Sequence, residues 1–373
     1  MGRLLLLLAL AALLAVPGCQ DDRQKEMPAA SDLSAHPVYS KYEFGAEDNV
    51  IDIGVQPLFV PMNIIHETMK HDRLLRRALA DKGMEIRFHD FYKGQDINFF
   101  VERGDLEAAI VGDMPALTAA ATMDVMATSM LSQGVISIVA DKPMLIEDLR
   151  GKRVAYPAGS NAHHALLSAL ASAGVSPDDV TLVAMDVDKM STAFARGDID
   201  AFSSWEPTPS VAVRSLDKAF VIHRSYTVGF MYFVNPFYDK HPDAVRDVAA
   251  SVVRALIWMR LDTRNLKRAA SWAVENAEDF SGEKSILIAE DYIEIAREDM
   301  LGIESFSLIP ARDLEPGGYL EMALAFLQDV GKIPATAGPN PVLDKFDRSL
   351  VQDIITNKKL YGANKFDYED LDD

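Results

Sequence analysis

A chain of 373 residues with 56 acidic against 37 basic side chains carries a formal charge of −19, and such a surface repels phosphate backbones. With no basic stripe to offset it, nucleic-acid binding is excluded. A single cysteine excludes a disulfide framework or a thiolate metal site within the chain, and the length admits two domains of roughly 100–200 residues each.

The N-terminus reads Met1-Gly2-Arg3, then an apolar run over residues 4–16, then Pro17-Gly18-Cys19. One Arg, an apolar stretch and a small-residue exit form the pattern of an export signal. The run falls short of the ~20 residues that a membrane-spanning helix needs. Val16-Pro17-Gly18-Cys19 has the form of a bacterial lipobox. Residues 1–18 are therefore expected to be a lipoprotein signal peptide, with Cys19 lipidated; the alternative is plain cleavage beside an unrelated cysteine. Residues 19–48 are polar and aperiodic, which suits a tether.

Residues 50–55 form an apolar strand, followed by a loop over 56–61, a helix over 62–82 and a second strand over 84–89. A helix-sized segment at 95–102 leads into Arg103-Gly104-Asp105-Leu106-Glu107-Ala108-Ala109. Gly after Arg signals a helix C-cap, and the apolar run beyond it signals a strand. The same stretch returns 93 residues later as Arg196-Gly197-Asp198-Ile199-Asp200-Ala201-Phe202. Ahead of this second copy stand a strand at 153–156, a loop at 157–160, a helix at 161–172, a strand at 180–184 and a helix-sized segment at 189–195. Both copies run on to an acidic residue near a proline: Asp113-Met114-Pro115 and Glu206-Pro207. Each half thus reads β-loop-α-β-α-β-loop-α, and that alternation implies βαβ units around a largely parallel sheet. The paired Arg-Gly-Asp triplets are read as helix-to-strand turns, not adhesion motifs.

The expected fold is α/β, with two doubly wound βαβ lobes joined by hinge crossovers at 135–140 and 229–234. Lobe 1 takes residues 49–138 plus 232–373, and lobe 2 takes 139–231. Helices at 241–260, 263–279, 284–298 and 319–330 form a C-terminal helical extension on lobe 1. The acidic run at 367–373 is expected to be a solvated tail.

Ligands of open α/β sheets sit beyond the carboxyl ends of the strands. That rule singles out the loops 56–61, 112–115, 158–161 and 203–207, each just before a predicted helix. Helix N-termini present free N–H groups and partial positive charge, so they hold an anion without Lys or Arg. Gln56 and Asp113 stand in the first two loops. In the third, Ser160 either caps the helix or turns its hydroxyl to a ligand, which would leave the N–H groups of Asn161 and Ala162 for an anion. In the fourth, Trp205 either joins the core or stacks on a ligand. Glu206 either is solvated, caps a helix, or accepts hydrogen bonds from an amine.

Enzyme signals are weak. His66 and His71 lie five apart, which turns them ~140° apart on a helix, so they cannot share a metal. His163 and His164 point to different faces. Ala158-Gly159-Ser160-Asn161-Ala162 lacks the Gly-x-Ser-x-Gly elbow of a hydrolase. Phosphate-cradling Gly motifs and calcium-loop spacing are absent. No metal or cofactor is expected.

The run Glu147-Asp148-Leu149-Arg150-Gly151-Lys152-Arg153-Val154-Ala155, with Gly159-Ser160-Asn161-Ala162-His163-His164-Ala165-Leu166-Leu167, resembles the nitrate/sulfonate/taurine group of ABC-importer solute-binding proteins. So do Gly112-Asp113-Met114-Pro115-Ala116-Leu117 and the stretch from Gly197 to Pro207. The resemblance covers about residues 50 to 260 and implies a type II periplasmic-binding fold. It implies ligand contacts from Ser160 and Asn161, with His163 beside them and Trp205 and Glu206 on the opposite wall. The loop 56–61 departs from the group in being Pro- and Phe-rich, which points to a partly apolar ligand. The implied protein is a non-enzymatic, monomeric lipoprotein, anchored through Cys19 and facing the periplasm or cell exterior. It would capture a small anionic or zwitterionic solute for a membrane ABC permease. Two alternatives remain open: an enzyme or binder of the same fold acting on a heteroaromatic such as a thiamine pyrimidine, and a ligand-sensing subunit of a membrane receptor. The export signal argues against a cytoplasmic enzyme.

Overall fold

The computed structural model describes residues 33–45, 49–301 and 307–368. The export signal, Cys19 and the first part of the expected tether lie outside these residues. Within the leading segment, Leu33–Ala35 and Tyr39–Lys41 form two short 3-10 turns, and the His36 and Tyr39 rings stack at 4.0 Å. The folded body starts at Tyr42. Tyr42 and Phe44 already pack on Phe91 and Phe100, so ordered packing begins ahead of residue 49.

The first half runs β1 (Val50–Val55), α1 (Met62–Lys70), α2 (Arg73–Ala80), β2 (Glu85–Asp90), α3 (Gly94–Arg103), β3 (Ala108–Gly112), α4 (Asp113–Thr122) and β4 (Val125–Ala140). The second runs β5 (Arg153–Tyr156), α5 (Asn161–Ser172), β6 (Thr181–Ala184), α6 (Val187–Arg196), β7 (Ala201–Trp205), α7 (Thr208–Ser215) and β8 (Phe220–Val234). Every residue of β1, β3 and β7 is buried, as strands covered on both faces require. In the second half, Ile138, Val154 and Leu166 pack on one face of the sheet. Val139, Ala155, Phe194 and Phe202 pack on the other, so helices cover both sides.

The strand order is β2-β1-β3-β8-β4-β7-β5-β6. The outer triplets β2-β1-β3 and β6-β5-β7 are parallel, and each meets a long antiparallel strand. The halves are not separate sheets. β4 and β8 are much longer than the crossovers at 135–140 and 229–234, and they pair with each other along their length. They join the halves into one hydrogen-bonded ladder, with register shifts between Ala127 and Ser129, Met130 and Ser132, and Ile138 and Val139. Such irregularities bend and twist a strand pair.

The repeat seen in the sequence has the same geometry in both halves. Gly104 and Gly197 end α3 and α6 with φ of 85° and 74°. The N–H groups of Asp105 and Asp198 reach back to Phe100 O and Ala193 O at 3.0 and 2.9 Å. This is the left-handed closure that glycine permits without a steric penalty. Two residues on, Glu107 accepts from Asp52 N at 2.7 Å and Asp200 from Arg153 N at 2.8 Å. Each copy thereby fixes the start of the neighbouring strand.

The helix expected over 62–82 is broken at His71-Asp72. The Asp72 carboxylate caps α2 by accepting from Leu74 N and Leu75 N. Its other oxygen accepts from Ser251 Oγ and Arg254 Nε, both at 2.7 Å. A cap with buried partners outweighs one more turn of helix.

Beyond β8 come α8 (Asn235–Lys240), α9 (Pro242–Leu261), α10 (Thr263–Ser281), α11 (Ala289–Ala296), a π turn at Arg297–Leu301, α12 (Ala311–Leu314), α13 (Tyr319–Asp329), α14 (Pro339–Leu343) and α15 (Ser349–Thr356). α9 and α10 pack on α1, and α9 also packs on α2. α13 lies on α4, yet its Phe326 also contacts His163 and His164 of α5, and Arg214 of α7 pairs with Asp291 of α11. The C-terminal part therefore touches both halves of the sheet, not the first alone. The start of the acidic tail docks as well: Asp367 O accepts from Arg73 N at 2.9 Å, and Tyr368 packs on Trp258 and Trp272.

Candidate functional site

Loops from both halves meet around a cavity of about 50 Å³. The first half supplies Gln56 and Phe59 after β1, Lys93, Gly94 and Gln95 at the start of α3, and Gly112 and Pro115 at the β3–α4 junction. The second half supplies Pro157, Ala158, Gly159, Ser160 and Asn161 ahead of α5, and Trp205 at the end of β7. All are at the carboxyl ends of strands or the starts of helices.

The two walls touch around the cavity. Gln95 Nε2 donates to Gly159 O at 3.3 Å, and Lys93 Nζ lies 3.3 Å from Asp186. Val60 N donates to Glu206 O at 3.3 Å, and the Phe59 and Trp205 rings lie 5.9 Å apart. Asn161 Nδ2 donates to Thr227 Oγ1 at 2.6 Å.

Of the residues singled out in the sequence, Gln56, Ser160, Asn161 and Trp205 line this cavity. The Ser160 hydroxyl accepts from His163 N at 3.3 Å and donates to Pro157 O at 2.6 Å, which is the helix-cap arrangement. The Asn161 amide is also occupied, since its Oδ1 accepts from Ala162 N at 2.9 Å. The Ala162 N–H, expected to be left for an anion, is thus taken by the Asn161 side chain, and what the pair leaves for a ligand is the positive end of α5. Lys93 gives α3 no side-chain cap, so a second helix start faces the same space. Trp205 is 7% exposed and forms an apolar wall with Phe59.

Asp113, His163 and Glu206 lie off the cavity lining. Asp113 is fully buried and accepts from Tyr319 Oη, Thr227 Oγ1, Val228 N and Met114 N. Burial pushes its carboxyl above the usual range, while these donors pull the other way. Through Thr227 it supports Asn161, so it acts behind the wall. His163 packs on Tyr156, and its Nδ1 accepts from Gly159 N at 3.2 Å. Burial, then the charges of Lys332 and His164, lower its pKa to about 4, so at neutral pH the ring is an uncharged acceptor. Glu206 turns into a different cavity, where its carboxylate accepts from Ser210 N at 3.3 Å and burial raises its pKa.

Sequence reasoning flagged the Pro- and Phe-rich loop that carries Phe59 without naming that residue, and it missed Lys93, Gly94 and Gln95 as site residues. The signal for the last three was present, because Lys93-Gly94 stands directly before a helix-sized segment, as the favoured loops do. Among the described residues, no group of three His, Cys, Asp or Glu is placed to hold a metal ion. His66 bonds to Glu67, and His71 stacks on Trp272. No described helix is long and apolar enough to cross a membrane.

The arrangement offers the positive ends of α3 and α5 to an anionic head, while Lys93 is engaged by Asp186, and it offers Phe59, Pro115 and Trp205 to an apolar body. Residues 117–262 match the family described as NMT1/THI5 like. The taurine-binding periplasmic protein of Escherichia coli is 29% identical over 223 residues, which cover 54% of this chain and 68% of that protein. The crystal structure of the periplasmic aliphatic sulphonate binding protein of Escherichia coli superposes with a TM-score of 0.64 at 18% identity, covering 82% of this chain and 99% of that one. The periplasmic nitrate-binding protein of Synechocystis superposes with a TM-score of 0.62 at 14% identity, covering 85% and 91%. The chain thus carries an NMT1/THI5-like domain in a type II periplasmic-binding fold and is a homologue of the taurine- and sulfonate-binding periplasmic proteins.

Proposed function

We propose that this protein is an extracytoplasmic solute-binding lipoprotein of an ABC importer. Its ligand is a small anionic or zwitterionic solute of the sulfonate, taurine or nitrate type, with a short apolar body favoured over a bare ion. The observation that carries this reading is the convergence of the α3 and α5 N-termini on one small space walled by Phe59 and Trp205. Helix starts bind anions through N–H groups and dipole, and the aromatic wall buries the body. The contacts across the cavity support reading it as the closed state of a hinged pair of lobes, with β4 and β8 as the hinge. A ligand favours closure only through contacts that exist when the lobes are shut. The relatives support the importer reading, and the lipobox supports the anchor.

Calorimetric titration of the purified protein with taurine, short alkanesulfonates, nitrate and a thiamine pyrimidine tests this. An alkanesulfonate or taurine should bind at micromolar Kd or tighter, about −8 kcal/mol or better. Trp205→Ala should weaken that binding at least tenfold. Binding of only the pyrimidine would overturn the ligand class, and unchanged affinity in Trp205→Ala would overturn the site.

A further inference from the structure

A second cavity, of about 360 Å³, opens on the far side of the Trp205-Glu206 pair: Trp205 lines the first space, and Glu206 the second. Its walls come from α7, β8, α11 and the π turn. The carboxylates of Glu206, Glu294, Glu298 and Asp299 face it, with apolar surface from Val213 and Val221 between them. Against them stands Arg224, which is exposed, while the other arginine of the lining, Arg214, is taken by Asp291.

Asp299 is the informative residue. It is only 7% exposed, and among the described residues it makes neither a hydrogen bond nor an ion pair. Its carboxylate rests against the backbone of Gly134 in β4, where a Cβ would sit 2.5 Å from Oδ2. The chain therefore gives up a side chain in a long central strand to make room for an unpaired acid. An unpaired buried carboxylate is costly unless something outside the protein meets it. Burial, then the nearby charges of Glu206 and Glu298, push Asp299 up to about 7, and the opposing pull of Arg224 does not offset them.

We propose that this second cavity is a binding site for a small organic cation, an alkylammonium whose charged head meets Asp299 and Glu206 and whose carbon chain lies on Val213 and Val221. An anion is disfavoured because carboxylates outnumber the free arginine. A metal ion is disfavoured because no three acidic or histidine ligands among the described residues converge on one point. The apolar strips between the charges suit a carbon chain better than a hydrated ion.

The test is calorimetric titration of the purified protein at pH 8 with n-butylammonium chloride, against sodium chloride of equal ionic strength and against calcium chloride. Saturable binding of butylammonium should appear, and it should persist when the first cavity is loaded with butanesulfonate. Asp299→Asn should weaken it at least tenfold. Val213→Trp, a change at an exposed position that fills the mouth, should do the same, and it serves if the Asp299 variant does not fold. Heat no greater than in sodium chloride would overturn the proposal. So would affinity unaffected by both substitutions, saturation by calcium in place of the amine, or displacement by butanesulfonate.

Discussion

Ser160 shows how one side chain can satisfy two readings of a sequence. Its hydroxyl is spent on the cap of α5 and on Pro157, so its effect on a ligand runs through the helix it starts. Ser160→Ala should cost about 0.5–2 kcal/mol in unfolding free energy, measured by urea denaturation. Its loss of ligand affinity should be smaller than that of Trp205→Ala. The place of the candidate site was legible in the sequence, because ligands of open α/β sheets sit beyond the carboxyl ends of strands, while the sequence left Ser160 and Trp205 each with two uses. Side-chain direction was not legible. Asp113 and Glu206 stand 93 residues apart at equivalent places in the repeat, yet one is buried in a polar network and the other faces a separate cavity. That difference is set by Tyr319, which is 206 residues from Asp113 in sequence, and no local pattern reports it.

At the level of elements, the strand–helix alternation of both halves could be read because each element carries its own period and its own glycine stop. The break between α1 and α2 could not, since the reason for it lies in α9. Asp72 and Arg254 form a buried ion pair with side chains 0% and 5% exposed, and Ser251 completes the carboxylate's partners. Arg254→Leu leaves that carboxylate buried beside apolar atoms and should lower the unfolding free energy by about 3–5 kcal/mol at pH 7. Differential scanning calorimetry would show this as a drop in Tm, and a variant as stable as the parent would refute the assigned role of the pair. The length of β4 and β8 was also hidden. Their outer portions carry polar residues such as Ser129, Ser132, Arg224 and Thr227, which mask a strand signal in a single sequence but are accommodated by pairing with a long neighbour.

The molecule as a whole should be most stable in mildly acidic solution. Burial raises the Glu107 and Asp299 carboxyls to about 7 and moves Asp113 and Glu206 in the same direction. Between pH about 4 and 7, the folded protein retains protons that the unfolded chain has released, so stability falls as pH rises through that window. His163 acts on the other side. The folded state keeps it neutral down to about 4, and stability falls as pH drops below the ordinary histidine value. The formal charge of −19 adds self-repulsion at alkaline pH. Tm measured across pH 4 to 9 at fixed ionic strength should be higher near about pH 5 than near about pH 8. The double variant Glu107→Gln, Asp299→Asn should flatten the alkaline limb. A parent protein equally stable at pH 5.5 and pH 8.5 would contradict these environments.

The outer margin of β4 in the first half is closed only by late sequence. Ala127 N donates to Lys345 O, Asp347 N donates to Ala127 O, and Met130 N donates to Ser307 O. A polypeptide delivered N-terminus first must therefore carry residues 127–130 of this strand with an open flank until its last segments arrive, whereas residues 136–140 are covered by β7. Such a flank invites pairing with a neighbouring chain. Shortened products ending before residue 307 would associate through it, and the finishing of the sheet would serve as the checkpoint between a nascent chain and a discrete, separately diffusing particle.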